Sequence, residues 1–280
     1  MKNKHCITLL FLLGCGLFFS IIRRYRLLAR PHKKDVKKVI FKEPVLFIHG
    51  YAGNRFSFGL MMRRFEEKGW GVKSAVVRVG VSGKITIIGD PAATGAMIQV
   101  LFDDNHASVV KQTQWLKKIL QKLAQDFAIK KVDIIAHSMG AVSVLSYLTK
   151  YGNEKAMPLV AKLVTLGAPY NDTEPGKNSK VIEQSPLSSQ GPLQPSAIYR
   201  KLKRWRHRIS TQTLFLNIIG DIDNGKSDGT VSVSSARSLR YLLDKRVYSE
   251  LIIKGKRATH RKLHENHEID MKIKKFLVAR

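Results

Sequence analysis

Short apolar runs alternate with helical periodicity along residues 43–280. Three runs end in glycine- or serine-containing turns, namely PVLFIHGYAGN (44–54), KVDIIAHS (131–138) and AKLVTLGAPY (161–170). Between them, SVVKQTQWLKKILQKLAQDF (108–127) places Trp115, Leu116, Ile119 and Leu123 on one face of a helix. Strands that alternate with helices predict parallel βαβ units. We therefore expect an α/β domain, with helices on both faces of a mostly parallel central sheet.

The remaining patterns extend this prediction. VKSAVVRVGVSGKITIIG (72–89) predicts two strands joined at Ser82-Gly83, whereas ATGAMIQVLF (93–102) is interpreted as an apolar loop. TLFLNIIGD and VYSELIIKG predict two later strands, and ENHEIDMKIKKFLVAR predicts a C-terminal helix. On such sheets, ligands bind at the carboxyl ends of the strands, where the glycine-rich turns fall.

Residues 171–210 interrupt this alternation with a polar stretch rich in proline and glycine. A short, very basic helix is predicted at IYRKLKRWRHRI (198–209). An insertion of this length is typical of a lid or binding loop, and a disordered surface loop is the alternative. We expect a single domain over residues 43–280, with 171–210 as its candidate lid.

Residues 1–42 have a different character. ITLLFLLGCGLFFSII (7–22) is almost wholly apolar, and a basic linker follows it. A membrane-spanning helix needs roughly 20 apolar residues, and no small-x-small cleavage site is present, so an uncleaved signal anchor is predicted. Lipidation at Cys15, within LLGC, is the alternative. We therefore expect a membrane-anchored protein, and the basic linker by itself favours a body on the cytoplasmic side.

The net charge of the chain indicates the kind of partner but not a specific one. The chain of 280 residues has a formal net charge of +28, and the portion after residue 42 retains +18, from 38 basic and 20 acidic residues. Such a surface favours anionic partners. The body shows no helix-turn-helix, zinc-finger or RNP pattern, so no specific nucleic-acid partner is predicted. Both cysteines, Cys6 and Cys15, precede the body, which excludes a disulfide framework there.

Ser138 stands between a predicted strand and a predicted helix, in the string AHSMGA. This strand–turn–helix context is typical of a nucleophile elbow, whose sharp turn needs small residues two positions before and after the serine. Ala136 and Gly140 meet that need. A helix-capping serine is the alternative interpretation.

Three further strand ends offer partners for this serine. The loop HGYAGN predicts an oxyanion hole made by the backbone N–H groups of Tyr51 and Met139. The string GDIDNGKSDGTVSVSSA offers a carboxylate, preferably at Asp228, with Asp221 as the second choice and Asp223 as a turn residue. The string ATHRKLHENHEI offers a base. The candidates there are His260 as first choice, His264 as alternative and His267 as a surface histidine.

The order Ser, Asp, His, with each residue at a strand end, is that of α/β hydrolases. The body resembles this superfamily, and the strings HGYAGN, AHSMGA, SDGTVSVSSARSLR and HRKLHEN resemble the DUF915 group of bacterial cell-surface hydrolases. Superfamily members commonly carry a glutamate five residues after the catalytic histidine, as Glu265 follows His260. Two departures are Ala136, where glycine is usual, and Ser232, where many relatives have proline.

The resemblance implies a serine esterase or lipase-like enzyme that works through an acyl-enzyme. Ser138 would be the nucleophile, His260 the base and Asp228 its orienting acid, with no metal or organic cofactor. The expected partners are an acyl-ester small molecule or lipid, and a membrane through the N-terminal segment. The resemblance to cell-surface hydrolases implies a location on the extracellular face of a bacterial membrane, opposite to the orientation that the basic linker favours. A binding module on a hydrolase scaffold, a peptidase and an acyltransferase are the alternatives.

Overall fold

The computed structural model describes residues 40–175 and 182–279. The predicted anchor and most of its basic linker, with Cys6 and Cys15, lie outside these residues. Within the described ranges, no helix has the length and apolar character needed to cross a membrane.

Eight strands form one sheet. They are β1 (Val45–Ile48), β2 (Val72–Val79), β3 (Ile85–Gly89), β4 (Ala96–Phe102), β5 (Lys131–His137), β6 (Leu159–Leu166), β9 (Leu214–Asp221) and β10 (Tyr248–Lys254); β7 (Leu187–Ser188) and β8 (Gly191–Pro192) form a separate hairpin. The order in the sheet is β10-β9-β6-β5-β1-β4-β2-β3. All neighbours in it are parallel except β2 and β3, which form an antiparallel hairpin at one edge. This topology confirms the predicted mostly parallel α/β sheet.

Helices cover both faces of the sheet. They are α1 (Arg55–Glu67), α2 (Val109–Phe127), α3 (Met139–Tyr151), α4 (Ala197–Trp205), α5 (Val233–Arg237) and α6 (His267–Val278). One core holds the buried faces of α2, α3 and α4, whereas the other holds those of α1 and α6. Alternate residues of β1 serve the two cores: Leu46 and Ile48 face the first, and Val45 and Phe47 face the second. Burial of the strand on both sides explains its continuous apolar sequence.

The interpretation of residues 93–102 as a loop was wrong. Ala96–Phe102 is the central strand β4, which lies between β1 and β2. Its apolar run is interrupted by Gln99, which is buried and donates a hydrogen bond from Nε2 to the backbone oxygen of Arg55 (2.9 Å). A buried amide with a backbone partner is compatible with a core strand.

The part of the insertion that the structure describes contains regular elements. Leu187–Ser188 (β7) and Gly191–Pro192 (β8) pair as a small antiparallel hairpin. The predicted basic helix is confirmed as α4, and it buries Tyr199 and Leu202 against the first core. Whether the insertion acts as a lid stays a prediction.

A buried ion pair joins α1 to α6 across the second core. Arg64 donates from Nε and a terminal nitrogen to the two carboxylate oxygens of Asp270 (2.6 and 2.9 Å), and also donates to His264 O (3.1 Å). The Asp270 side chain is fully buried. A bidentate pair of this kind compensates a buried carboxylate that would otherwise be strongly destabilising.

We expect Arg64→Met to lower the free energy of unfolding by about 3–5 kcal/mol, because it leaves the Asp270 carboxylate buried without its partner. The matched control is Arg63→Met, one residue away, which removes an exposed pair with Glu67 and is expected to cost less than about 1 kcal/mol. Urea unfolding of both variants measures the difference. Equal losses would show that the Arg64–Asp270 pair contributes no more than a surface pair.

Candidate active site

Ser138 forms the junction between β5 and α3. Its backbone has φ 54° and ψ −133°, a conformation that non-glycine residues rarely adopt and that costs free energy. The Ser138 N–H donates to Leu166 O at the end of β6 (2.9 Å), which holds the turn in register. The side chain makes no capping hydrogen bond to the helix that it precedes. The side chain of Ser138 therefore does not cap α3, and the capping interpretation was wrong.

The small residues around Ser138 have a steric reason. A Cβ atom on Gly140 would lie 2.3 Å from the backbone oxygen of His49, and one on Gly50 would lie 2.8 Å from the Ser138 Cβ. Both contacts are shorter than real Cβ atoms allow. The start of α3 and the end of β1 are thus in backbone contact, which brings the HGYAGN loop beside the serine.

Asp228 and His260 are joined by a short hydrogen bond. His260 Nδ1 lies 2.7 Å from Asp228 Oδ2, and the backbone N–H of His260 donates to Asp228 O (2.9 Å). The other carboxylate oxygen, Oδ1, accepts from the N–H groups of Thr230 and Val231 (2.9 and 2.7 Å). The Asp228 side chain is buried, while His260 retains 14% exposure. Three hydrogen bonds therefore fix the carboxylate, and the carboxylate in turn orients the imidazole of His260.

The other acids of this region have different partners. Asp221 Oδ1 accepts from the N–H groups of Asp223 and Gly225 (3.2 and 2.7 Å), so this carboxylate closes the turn after β9. Asp223 is exposed and lies 3.9 Å from Lys226 Nζ. The structure therefore pairs His260 with the first-choice acid.

The alternative histidines occupy different surroundings. His264 is buried, its ring contacts those of Phe58 and His137, and its Nδ1 has no partner among the described residues. His267 is mostly exposed at the start of α6. Neither makes the hydrogen bond to Asp228 that His260 makes.

A cleft of about 430 Å³ opens at this edge of the sheet. His260, Gly50 and Tyr51 line it, and Gly50 is the residue whose added Cβ would lie 3.4 Å from Ser138 Oγ. Ser138 Oγ makes no hydrogen bond within the described residues, and a hydroxyl can rotate to suit its partner. Hydrogen bonds between catalytic groups are often long without substrate and tighten when it binds.

Of the two predicted oxyanion donors, Tyr51 borders this cleft, and both border a second pocket. Tyr51 follows β1 and Met139 begins α3, so the Met139 N–H is one of the first helical amides and has no intrahelical acceptor. The Tyr51 N–H donates to no other backbone group of the described residues. Tyr51 and Met139 both line a pocket of about 270 Å³ on the α4 side of the cleft.

Sequence reasoning missed two histidines that hold the site. His49 Nε2 accepts from the Phe102 N–H (3.1 Å), which requires that Nδ1 carries the proton donated to Gly50 O (2.8 Å). His137 Nε2 donates to the backbone oxygen of His260 (3.1 Å), and the two rings lie 4.5 Å apart. The sequence could have indicated both residues, because His49 begins the string HGYAGN and His137 directly precedes Ser138 in AHSMGA.

Burial keeps these supporting histidines neutral. It lowers the pKa of His49 to about 4 and holds that of His137 well below its usual range, with the neighbouring His260 adding to the second effect. Burial also lowers the pKa of His264 to about 4. A buried ring that resists protonation can pack on His260 without adding a second positive charge.

The strand-end serine, the fixed Asp–His pair and the doubly wound sheet together define the α/β-hydrolase class. The family described as "Alpha/beta hydrolase of unknown function (DUF915)" matches residues 31–280. The chain belongs to this family.

Solved structures agree with the fold. The product of gene lin2722 from Listeria innocua is 26% identical, with a TM-score of 0.74 over 84% of this chain and 94% of that chain. A protein assigned as a cell surface hydrolase from Lactobacillus plantarum is 19% identical, with a TM-score of 0.65 over 84% and 90%. A metagenome-derived lipolytic enzyme is 10% identical, with a TM-score of 0.51 over 89% and 97%. The two less identical structures support the fold alone.

We expect acid to destabilise the protein through the buried histidines. Because the folded-state pKa of His49 and His264 lies below the unfolded value, the unfolded chain binds more protons as the pH falls from about 6.5 to about 4. Each such histidine lowers the free energy of unfolding by up to about 1.4 kcal/mol per pH unit in that window. Urea unfolding at stepped pH measures this slope.

His264→Asn is expected to reduce that slope, because it removes one of the contributing groups. The matched control, His267→Asn, removes an exposed histidine three residues further along the chain. If both variants keep the slope of the parent protein, burial of His264 does not contribute to acid sensitivity.

Proposed function

We propose that this protein is a serine hydrolase of carboxylic esters. The observation that carries the proposal is the 2.7 Å hydrogen bond between His260 and the buried Asp228, at the same sheet edge as a strained serine whose hydroxyl makes no hydrogen bond within residues 40–175 and 182–279. Membership in an α/β-hydrolase family and a fold shared with lipolytic enzymes support it.

In the proposed first half-reaction, His260 Nε2 accepts the proton of Ser138 Oγ as the oxygen attacks the ester carbonyl carbon. The carbonyl π electrons move onto oxygen, and the N–H groups of Tyr51 and Met139 stabilise that oxyanion. Asp228 keeps the proton of His260 on Nδ1 and stabilises the imidazolium. Collapse of the intermediate breaks the bond to the leaving alkoxide, which takes the proton from Nε2 and departs as an alcohol.

Water completes the proposed cycle. His260 Nε2 accepts a proton from water, and the resulting hydroxide attacks the acyl carbon bound to Ser138. The second tetrahedral intermediate collapses, the proton returns to Ser138 Oγ, and the carboxylic acid leaves. An acyltransferase would follow the same route with an alcohol in place of water.

Two differently lined spaces meet at Tyr51 and indicate the orientation of the ester. The pocket beside Met139 is lined largely by apolar side chains that include Val109, Val110 and Ile198. The cleft beside His260 includes Phe56 and Leu60, but it carries more polar side chains, among them Asn54, Ser57, Arg261 and Glu265. We therefore place an apolar acyl group beside Met139 and a polar leaving group beside His260. Anchoring through residues 1–42 and location on the extracellular face stay predictions.

Ser138→Ala is expected to reduce hydrolysis of p-nitrophenyl esters by about 10⁶-fold, to the level of background, because it removes the nucleophile. Asp228→Asn is expected to reduce kcat by about 10⁴-fold through the wrong imidazole tautomer. The control is Asp221→Asn, which keeps the turn-closing Oδ1 acceptor and is expected to retain most activity. Full activity in Ser138→Ala would exclude the proposed nucleophile, and no activity in the parent protein would favour a binding role.

The acyl pocket is tested by Ile198→Trp, which fills the space beside Met139. We expect the ratio of kcat/KM for octanoate over acetate to fall at least about tenfold, since each methylene excluded from an apolar pocket costs about 1–3 kcal/mol. Val81→Trp is the control, because Val81 is 69% exposed in the β2–β3 turn. An unchanged ratio would place the acyl group elsewhere.

A further inference from the structure

The helix α4 and the turn that follows it carry an unusual set of charges. Residues 197–209 contain six Lys and Arg residues and no Asp or Glu. Most of these cations are exposed. Over the described ranges, none of the six has a carboxylate within ion-pair distance; the cations are Arg200, Lys201, Lys203, Arg204, Arg206 and Arg208.

Several basic residues elsewhere on the domain differ from this cluster in having an acidic partner. Arg78, Lys111 and Lys122 each lie within ion-pair distance of an aspartate. Mutual repulsion within an unpaired cluster disfavours it in isolation, so an anionic partner in solution would relieve a real electrostatic cost.

Partly exposed apolar side chains lie on α4, just before it in the chain and at the pocket that its Ile198 lines. Trp205, at the end of α4, is half-buried, and the guanidinium groups of Arg204 and Arg208 lie 5.1 and 4.5 Å from its ring centroid. Leu193, just before the helix, is 64% exposed, and Val110, at the rim of the acyl pocket, is 53% exposed. Cations combined with Trp and aliphatic residues are typical of segments that lie in a lipid interface.

The same helix reaches the candidate active site. Ile198, in its first turn, lines the 270 Å³ pocket together with Met139 and Val110. The outward face of the helix presents Arg200, Lys201 and Arg204, whereas its buried face packs on the core that contains α3. A surface that rests on α4 would therefore lie next to the mouth of the apolar pocket.

We propose that α4, Trp205 and Arg208 form a membrane-contact surface of the hydrolase domain that binds anionic phospholipid. The cations contact head-group phosphates, while Trp205 and Leu193 enter the boundary between head groups and acyl chains. Nucleic acid could contact the same cations, but its charged backbone would not account for the exposed aliphatic residues or for the apolar pocket beside them. This contact does not depend on the role proposed for Ser138.

Trp205 provides a local probe of this contact. Trp70 and Trp115 are buried, at 5% and 4% exposure, whereas Trp205 lies at the surface. The full chain carrying Ser138→Ala is mixed with vesicles whose phosphatidylcholine and phosphatidylglycerol have brominated acyl chains. We expect tryptophan emission to be quenched as phosphatidylglycerol is added, and Trp205→Phe to abolish that quenching. Quenching that survives Trp205→Phe, or none at all, would overturn the proposal.

A pair of charge reversals tests the cations. We expect Lys201→Glu/Arg204→Glu to need at least about tenfold more phosphatidylglycerol vesicles for the same quenching, because each lost cation weakens attraction to an anionic surface by several-fold. The matched control is Lys272→Glu/Lys275→Glu on α6, which covers the opposite face of the sheet. Residues 1–39 are present in every sample, so a difference between the two variants arises from α4.

Equal weakening in both double variants would show that net charge alone drives binding, and would contradict a specific surface. A labelled oligonucleotide provides the competing arm. If it binds through Lys201 and Arg204 while vesicles leave Trp205 emission unchanged, the partner is nucleic acid and the membrane assignment fails. Because the probe protein lacks the Ser138 hydroxyl, none of these outcomes depends on ester hydrolysis.

Discussion

Helix α3 begins so close to the end of β1 that a side chain on Gly140 would lie 2.3 Å from His49 O. This backbone contact requires the chain to turn sharply after β5, and the turn places Ser138 at φ 54°. A residue held in such a conformation is tolerated only where the surrounding structure fixes it. Here the two cores on either side of the sheet supply that restraint, since β1 and β5 are buried on both faces. The position of the candidate nucleophile is therefore a consequence of how the sheet packs.

The Asp–His pair depends on a second set of contacts, which come from four separate strand ends. Asp228 follows β9, His260 follows β10, and His137 ends β5 and supports the backbone of His260. Gly167, after β6, lies against this pair, where a Cβ would come within 3.0 Å of both Asp228 Oδ2 and His260 Nδ1. His137, His260 and His264 all line the cleft, but among the described histidines only His260 is hydrogen-bonded to Asp228. Burial lowers the pKa of His137 and His264, so these two rings stay neutral beside it.

The basic residues of the domain differ in their surroundings, in both burial and acidic partners. Arg64, with 14% of its side chain exposed, pairs with the fully buried Asp270, so it contributes to the fold. Several surface cations form exposed pairs with acids, which contribute little to stability. Within the described ranges the cations of α4 have no acidic partner, and Ile198 of the same helix lines the apolar pocket. Arg64 therefore stabilises the domain, whereas the cations of α4 are those that the proposed membrane contact would use.

The sequence by itself determined the alternation of strands and helices, because apolar periodicity directly reports which faces are buried. It also indicated Ser138, Asp228 and His260, because each follows a strand and the carboxyl ends of parallel strands meet at one edge. It did not identify β4, since the buried Gln99 finds its partner in the backbone of another element. Only the tertiary structure showed that Asp228 is hydrogen-bonded to His260, whereas Asp221 closes a turn, and that His49 and His137 hold the backbone around the site. Those pairings depend on distances between residues far apart in the chain, which local patterns do not encode.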